Sequence, residues 1–209
     1  MSGRCQIQEL AEVPDRETYL EVYRLLEEAT PLREDCGLLC GRLCCRPDRP
    51  DTGIYLLPGE EALFRGDEEW LEWTEQRAEE YDFPPGWEGT VYFVRCRGTC
   101  PRSSRPLQCR FFPLTAHCLP DGHLVIIWET LALPYRCPLL TGAYPLEHGF
   151  VRAVAEAWRL LMRFRRVREL VCWDSRQRDK AAKKLLPWKD PATGRPSPAG
   201  RIVKVAGRL

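Results

Sequence analysis

Four cysteines fall within the eleven residues DCGLLCGRLCC, from Asp35 to Cys45. Cys36, Cys40, Cys44 and Cys45 form a C-x3-C-x3-C-C group; Cys96, Cys100 and Cys109 follow as C-x3-C-x8-C, with Cys118 and Cys137 trailing behind. Clustered thiols in a reducing compartment point to metal or redox chemistry rather than to disulfides. A regular helix cannot gather the first group. At about 1.5 Å rise per residue, Cys36 and Cys44 would stand roughly 12 Å apart, too far to share an ion whose bonds to sulfur measure about 2.3 Å. The group therefore reads as a chelating loop, in which Gly37 and Gly41 give the backbone freedom to turn amides toward sulfur. Crowded thiolates repel and stay protonated until a cation compensates them, which couples metal binding to folding.

Spacing excludes several specific sites. There is no C-x2-C pair in the chain, which speaks against zinc ribbons, thioredoxin-like sites and bacterial ferredoxin runs. The C-x3-C-x2-C run of radical S-adenosylmethionine enzymes is missed by one residue, because Leu43 stands between Arg42 and Cys44.

CGLLCGRLCC, followed about fifty residues later by CRGTCPRSSRPLQCRFFPL, resembles the YkgJ-type zinc- or iron-chelating domain family of bacterial proteins. It is also similar to the cysteine-rich region of flagellin lysine-N-methylases. The adjacent Cys44–Cys45 pair and RPLQCRFFP, an R-P-x-x-C-R-x-F-P element, carry the resemblance, which spans Cys36 to about Pro138. It implies metal ligation by Cys36, Cys40, Cys44, Cys45, Cys96, Cys100 and Cys109, with Cys137 as a further ligand. The cofactor it implies is an iron–sulfur cluster, 4Fe–4S first, or zinc. All-thiolate sites suit both, so ligand softness does not choose between them. Arg105 and Arg110 flank Cys109 and read either as donors to sulfur or as structural arginines. His117 beside Cys118 reads as an open question, whereas Cys5 and Cys172 read as packing residues.

Around these motifs the chain supplies helices at both ends and strands between them, an α+β arrangement. DRETYLEVYRLLEEAT predicts a first helix capped by Asp15. GIYLLPGEEALF predicts a short strand, a Pro58–Gly59 turn and a second helix that continues through the acidic run to Tyr81, with Glu60 and Glu61 as helix N-terminal acids. TVYFVRC, QCRFFPL and HLVIIWETLAL read as strands of one small sheet. PLEHGFVRAVAEAWRLLMRFRRVRELVCW reads as one long helix with Phe150, Val154, Trp158, Leu161 and Met162 on its apolar stripe. Residues 1–173 then form one cysteine-rich domain, and 174–209 a basic tail containing Pro and Gly.

With 209 residues, 44% of them hydrophobic, the chain can bury a core without disulfides. The start lacks the apolar run of a signal peptide, and the longest apolar segment, LVIIW, is far short of the roughly 20 residues of a membrane helix; the expectation is a cytoplasmic protein. A net charge of +1 gives the whole molecule no electrostatic pull toward nucleic acid or a membrane. Three functional readings follow: a metal or cluster protein of undefined reaction, a methyltransferase-like or redox enzyme using the cluster, and a zinc-stabilised module that binds a protein partner through its basic C-terminal helix and tail. No Gly-rich nucleotide loop follows a strand, which weighs against a self-contained S-adenosylmethionine site.

Overall fold

Asp15 opens the first helix as expected. Its Oδ1 accepts the Thr18 backbone N–H at 2.8 Å, and α1 (Arg16–Leu25) buries Tyr19, Val22 and Tyr23. Such a cap satisfies one of the amides that a helix start leaves without an intrahelical partner. The computed structural model describes residues 11–46, 52–98, 100–130, 133–141, 144–184 and 202–208; Cys5 lies outside them.

The middle of the chain is an α+β arrangement built on two antiparallel three-stranded sheets rather than one. β1 (Ile54–Tyr55), β2 (Leu71–Arg77) and β3 (Thr90–Cys96) make the first, in the order β1-β3-β2. The acidic run expected to continue as helix is strand β2 instead, and the expected second helix is only the single turn Glu60–Leu63. The strand wins through cross-strand pairs. Glu72 lies opposite Arg95 and accepts from its Nη2 at 2.5 Å, while Trp73 meets the edges of Phe64 and Tyr92 at ring separations of 5.6 and 5.7 Å.

QCRFFPL departs from its expected strand in a way that matters for the site. It begins as the short helix α2 (Leu107–Phe111), and the strand starts only at β4 (Leu114–Cys118). Pro106 at the cap suits a helix start. The backbone N–H of Leu107 is held at 2.7 Å by the Glu60 carboxylate, which favours a helix N-terminus there. β4 pairs with β5 (His123–Trp128).

The predicted long helix is two: α3 (His148–Leu161) and α4 (Arg165–Lys184). The break persists because the amides at the start of α4 find other acceptors: Arg165 N–H donates to Ala11 O at 2.9 Å and Arg166 N–H to Glu12 O at 3.0 Å. The Glu12 carboxylate also pairs with both arginine side chains. The predicted apolar stripe of α3 and its end holds, with Phe150, Val154, Trp158, Leu161 and Met162 all buried in the cluster that includes Tyr19, Val22, Ala116, Leu124 and Ile126. Burial of each large side chain contributes about 1.5–3 kcal/mol. Past the expected boundary at 173/174, α4 continues with Ser175 and Arg178 buried, and β6 (Ile202–Arg208) adds to β5 to complete the order β4-β5-β6. The boundary thus falls inside a packed helix: Arg178, 5% exposed at its side chain, pairs with Glu129 at 3.2 Å. No described helix is long and apolar enough to cross a membrane.

Asp174 on α4 gives a pH test of this packing. Burial, opposed by Arg178, raises its carboxyl to about 6. A raised carboxyl pKa makes the ionised form a cost to folding above that value, and the cost is relieved as pH falls toward the unfolded pKa. Asp174→Asn is therefore expected to stabilise the protein by up to about 3 kcal/mol at pH 8, with the gain shrinking to nothing near pH 4; urea melts at the two pH values check it.

Candidate metal centre

Between α1 and β1, Asp35 starts a one-turn helix over Cys36–Leu39, its Oδ1 accepting Gly37 N–H and its Oδ2 accepting Arg42 Nη2, each at 2.9 Å. Gly41 and Arg42 both take left-handed backbone, with φ of 62° and 56°, and this reversal leads into the turn Leu43–Cys45. The two glycines serve different ends. Gly41 allows the positive φ, whereas a Cβ on Gly37 would stand 2.5 Å from the Arg42 Cγ, so Gly37 makes room for the arginine that closes the loop.

This loop presents Cys44 and Cys45 with their sulfurs 3.7 Å apart. Cys45 also lies close enough to Cys96, at the end of β3, for each to act on the other's thiol, and Cys96 stands in the same relation to Cys100. The structure thus joins the two sequence clusters through the chain of sulfurs Cys44, Cys45, Cys96, Cys100. Arg105 Nε donates to Cys100 Sγ at 3.3 Å. Cys109, on helix α2 and not on the strand expected there, lies in the same electrostatic neighbourhood, with Cys45, Cys100 and Arg105 acting on its thiol. Cys36, Cys40 and Cys137 form a flanking set: Cys36 senses Cys137 and Cys40, and Cys137 senses Cys40. Among the described residues, no three His, Cys, Asp or Glu side chains converge closely enough to hold an ion; the sulfurs run as a chain.

The Cys45 thiol is held far below its ordinary value by Cys44 and Cys96, with Arg105 and Arg42 adding positive field. Cys100 is lowered by Cys96 and Arg105. Cys44 and Cys96 are correspondingly raised by the thiols beside them and by burial. Burial pushes Cys109 up to about 12. Lowered thiols at Cys45 and Cys100 beside guanidinium groups are soft anionic donors, the chemistry that zinc and iron–sulfur centres take.

The framework holding these thiols was only partly legible in the sequence. Arg110 is structural: it is buried, donates to the carbonyls of Arg105, Arg102 and Tyr23, and stacks 4.3 Å over the Tyr23 ring. Arg102 ties the same segment to the end of α1 through the carbonyls of Glu27 and Ala29. Glu60, expected as an ordinary helix-start acid, is fully buried and accepts Tyr23 Oη at 2.9 Å, Leu107 N–H at 2.7 Å and Leu57 N–H at 3.0 Å. It fixes the start of the helix that carries Cys109. Tyr135, two residues before Cys137, has its phenol raised by burial and by the nearby Cys44, Cys109 and Cys137. A carboxylate directly after a turn glycine, between apolar segments, was the available signal for Glu60; Tyr135 had none beyond its place beside a cysteine.

His117 and Cys118 do not join this centre as a ligand pair. His117 faces Asp179, with Nε2 3.4 Å from Oδ1, and Cys118 touches Cys172 on α4.

Arg105 donates to a candidate ligand, and Arg105→Met is expected to weaken metal affinity about tenfold, as loss of an outer-shell partner does. Chelator competition on the two proteins measures it.

No protein family, curated protein or solved structure matches the chain in any of the three comparisons made with known proteins.

Proposed function

We propose that this chain is a cysteine-ligated metal protein of the cytoplasm, with Cys44, Cys45, Cys96 and Cys100 as the principal ligands, Cys109 alongside them, and Cys36, Cys40 and Cys137 as a flanking set. The observation that carries this reading is the sulfur chain linking Cys44 and Cys45 to Cys96 and Cys100, residues about fifty positions apart in sequence, with a guanidinium donating to one of them. Packing alone gives no reason to gather thiols from two distant segments beside a guanidinium that donates to one of them. The resemblance of the cysteine pattern to the YkgJ-type chelating domains supports the same reading.

Zinc is the form favoured by the spacing of the adjacent Cys44–Cys45 pair. A tetrahedral ion with bonds of about 2.3 Å to sulfur has edges of about 3.8 Å, and the adjacent sulfurs stand 3.7 Å apart. In a cubane each thiolate binds a different iron, which sets ligand sulfurs further apart than one edge. A 4Fe–4S cluster is the second reading, supported by the number of thiols grouped around Cys45. Bound here, zinc supplies cross-linking of the loops and an iron–sulfur centre supplies electron transfer. The residues of the chain hold the thiolates, orient them through Arg105 and Glu60, and tie the ligand loops to α1.

Metal and sulfide analysis of the full chain, purified anaerobically without added metal, tests the proposal. About one zinc per chain and a colourless solution is the expected result. Iron with sulfide and a broad band near ~400 nm would replace zinc by the cluster, and a protein that carries and takes up neither would end the proposal.

A further inference from the structure

Two cysteines outside the candidate metal centre face each other across the packed face of α4. Cys118 at the end of β4 and Cys172 on α4 have their sulfurs 2.9 Å apart, and closing to the roughly 2.05 Å of a disulfide needs less than an ångström of movement. The backbone holds them there: Cys118 N–H donates to Ser175 Oγ at 2.9 Å, and Ser175 Oγ donates to Val171 O at 2.6 Å. Both thiols are only partly buried. Cys172 lines a cleft of about 530 Å³, walled by the Pro84–Trp87 segment, by Glu169 and by four arginines, of which Arg165 and Arg166 pair with Glu12 and Arg168 and Arg176 do not. A packing role accounts for the contact between the sulfurs but not for the opening of one of them onto an arginine-lined cleft.

We propose that Cys118 and Cys172 form a thiol–disulfide exchange site whose substrate is a carboxylate-bearing disulfide of the oxidised-glutathione type, drawn into the cleft by its arginines. This site is independent of the metal centre. Cys172 is the attacking sulfur, because it lines the cleft beside Arg168 and Arg176, whereas Cys118 is absent from that lining. The Cys172 thiolate, its proton already released to solvent, attacks one sulfur of the substrate. A mixed disulfide forms and one substrate half leaves as thiolate. Cys118 then gives its proton to that thiolate and attacks the Cys172 sulfur, forming the Cys118–Cys172 disulfide and expelling the second half, which takes a proton from solvent. Two protein thiols are oxidised and one substrate disulfide is reduced to two thiols.

The test treats the full chain with oxidised glutathione, alkylates the remaining thiols and maps the peptides by mass. The wild type is expected to yield the linked Cys118–Cys172 peptides. Cys118→Ser should trap a glutathione adduct on Cys172, whereas Cys172→Ser should leave Cys118 without one. Arg168→Gln with Arg176→Gln should slow the reaction with oxidised glutathione about tenfold more than the reaction with neutral hydroxyethyl disulfide, the lower end of electrostatic rate effects. The wild-type measurement needs no variant to fold. A pair that stays reduced, or a Cys172 that reacts no faster than the same thiol in urea, overturns the exchange site. Equal slowing of both disulfides by the arginine substitutions overturns the choice of an anionic substrate.

Discussion

Cys45→Ser is expected to weaken metal binding by at least about 100-fold, since loss of an outer-shell partner alone costs about 10–100-fold. Cys45 is where the two cysteine clusters meet: its sulfur stands 3.7 Å from that of Cys44, and Cys44 and Cys96 hold its thiol below the ordinary value. A serine hydroxyl in its place is a poor ligand and no longer links the loop at Asp35–Cys45 to the end of β3. Cys36→Ser and Cys137→Ser, in the flanking set, should each cost less than about tenfold, and Cys172→Ser should leave metal content unchanged. Competition with a chromophoric chelator ranks the variants. Equal losses at Cys36 and Cys45 would show that the flanking set is part of the primary shell, and no loss at Cys45 would remove it as a ligand.

Glu60→Ala carries the largest expected cost to folding. Three donors, Tyr23 Oη, Leu107 N–H and Leu57 N–H, would lose their acceptor in a fully buried place, and an unsatisfied buried group costs about 1–3 kcal/mol. With partial relaxation, a total of about 3–5 kcal/mol follows from the same range. Glu60→Gln separates the contributions. An amide oxygen in the place of Oε1 still accepts Tyr23 and Leu107, but an NH2 in the place of Oε2 opposes the Leu57 N–H, so this variant should lose only about 1–3 kcal/mol. The two should also differ from the wild type in pH response. Burial raises the Glu60 carboxyl above its ordinary value despite the three hydrogen bonds, so the wild type carries an ionisation cost above the raised pKa that fades as pH falls toward about 4.5, the ordinary glutamate value. Glu60→Gln lacks that term, and its deficit against the wild type should widen as the pH is lowered. Guanidinium melts across pH 4–8 read both quantities. Because Glu60 sets the start of the helix bearing Cys109, Glu60→Ala should weaken metal binding as well.

The sequence disclosed what local chemistry decides and missed what distant partners decide. The Asp15 cap, the apolar stripe from Phe150 to Met162 and the strands at Thr90–Cys96 and His123–Trp128 follow from capping, helical periodicity and β-branched runs. The acidic stretch at Leu71–Arg77 went astray because Glu-rich segments favour helix locally, whereas Arg95, Tyr92 and Phe64 supply the strand's partners from elsewhere in the chain. The long C-terminal helix divides for the same reason: the acceptors that start α4 belong to Ala11 and Glu12, more than 150 residues away in sequence. At the site, clustering of the cysteines was visible in their spacing. Their division into a chain around Cys45, a flanking set around Cys36 and a separate Cys118–Cys172 pair was not, since it depends on which loops the two sheets bring together.

X-ray absorption at the metal edge of the full-length, as-purified protein tests the central claim most directly. The account predicts a shell made of sulfur alone at about 2.3 Å for zinc, reduced or lost in Cys45→Ser and intact in Cys172→Ser. A protein without bound metal, or a shell of nitrogen and oxygen that Cys45→Ser leaves unchanged, would contradict it.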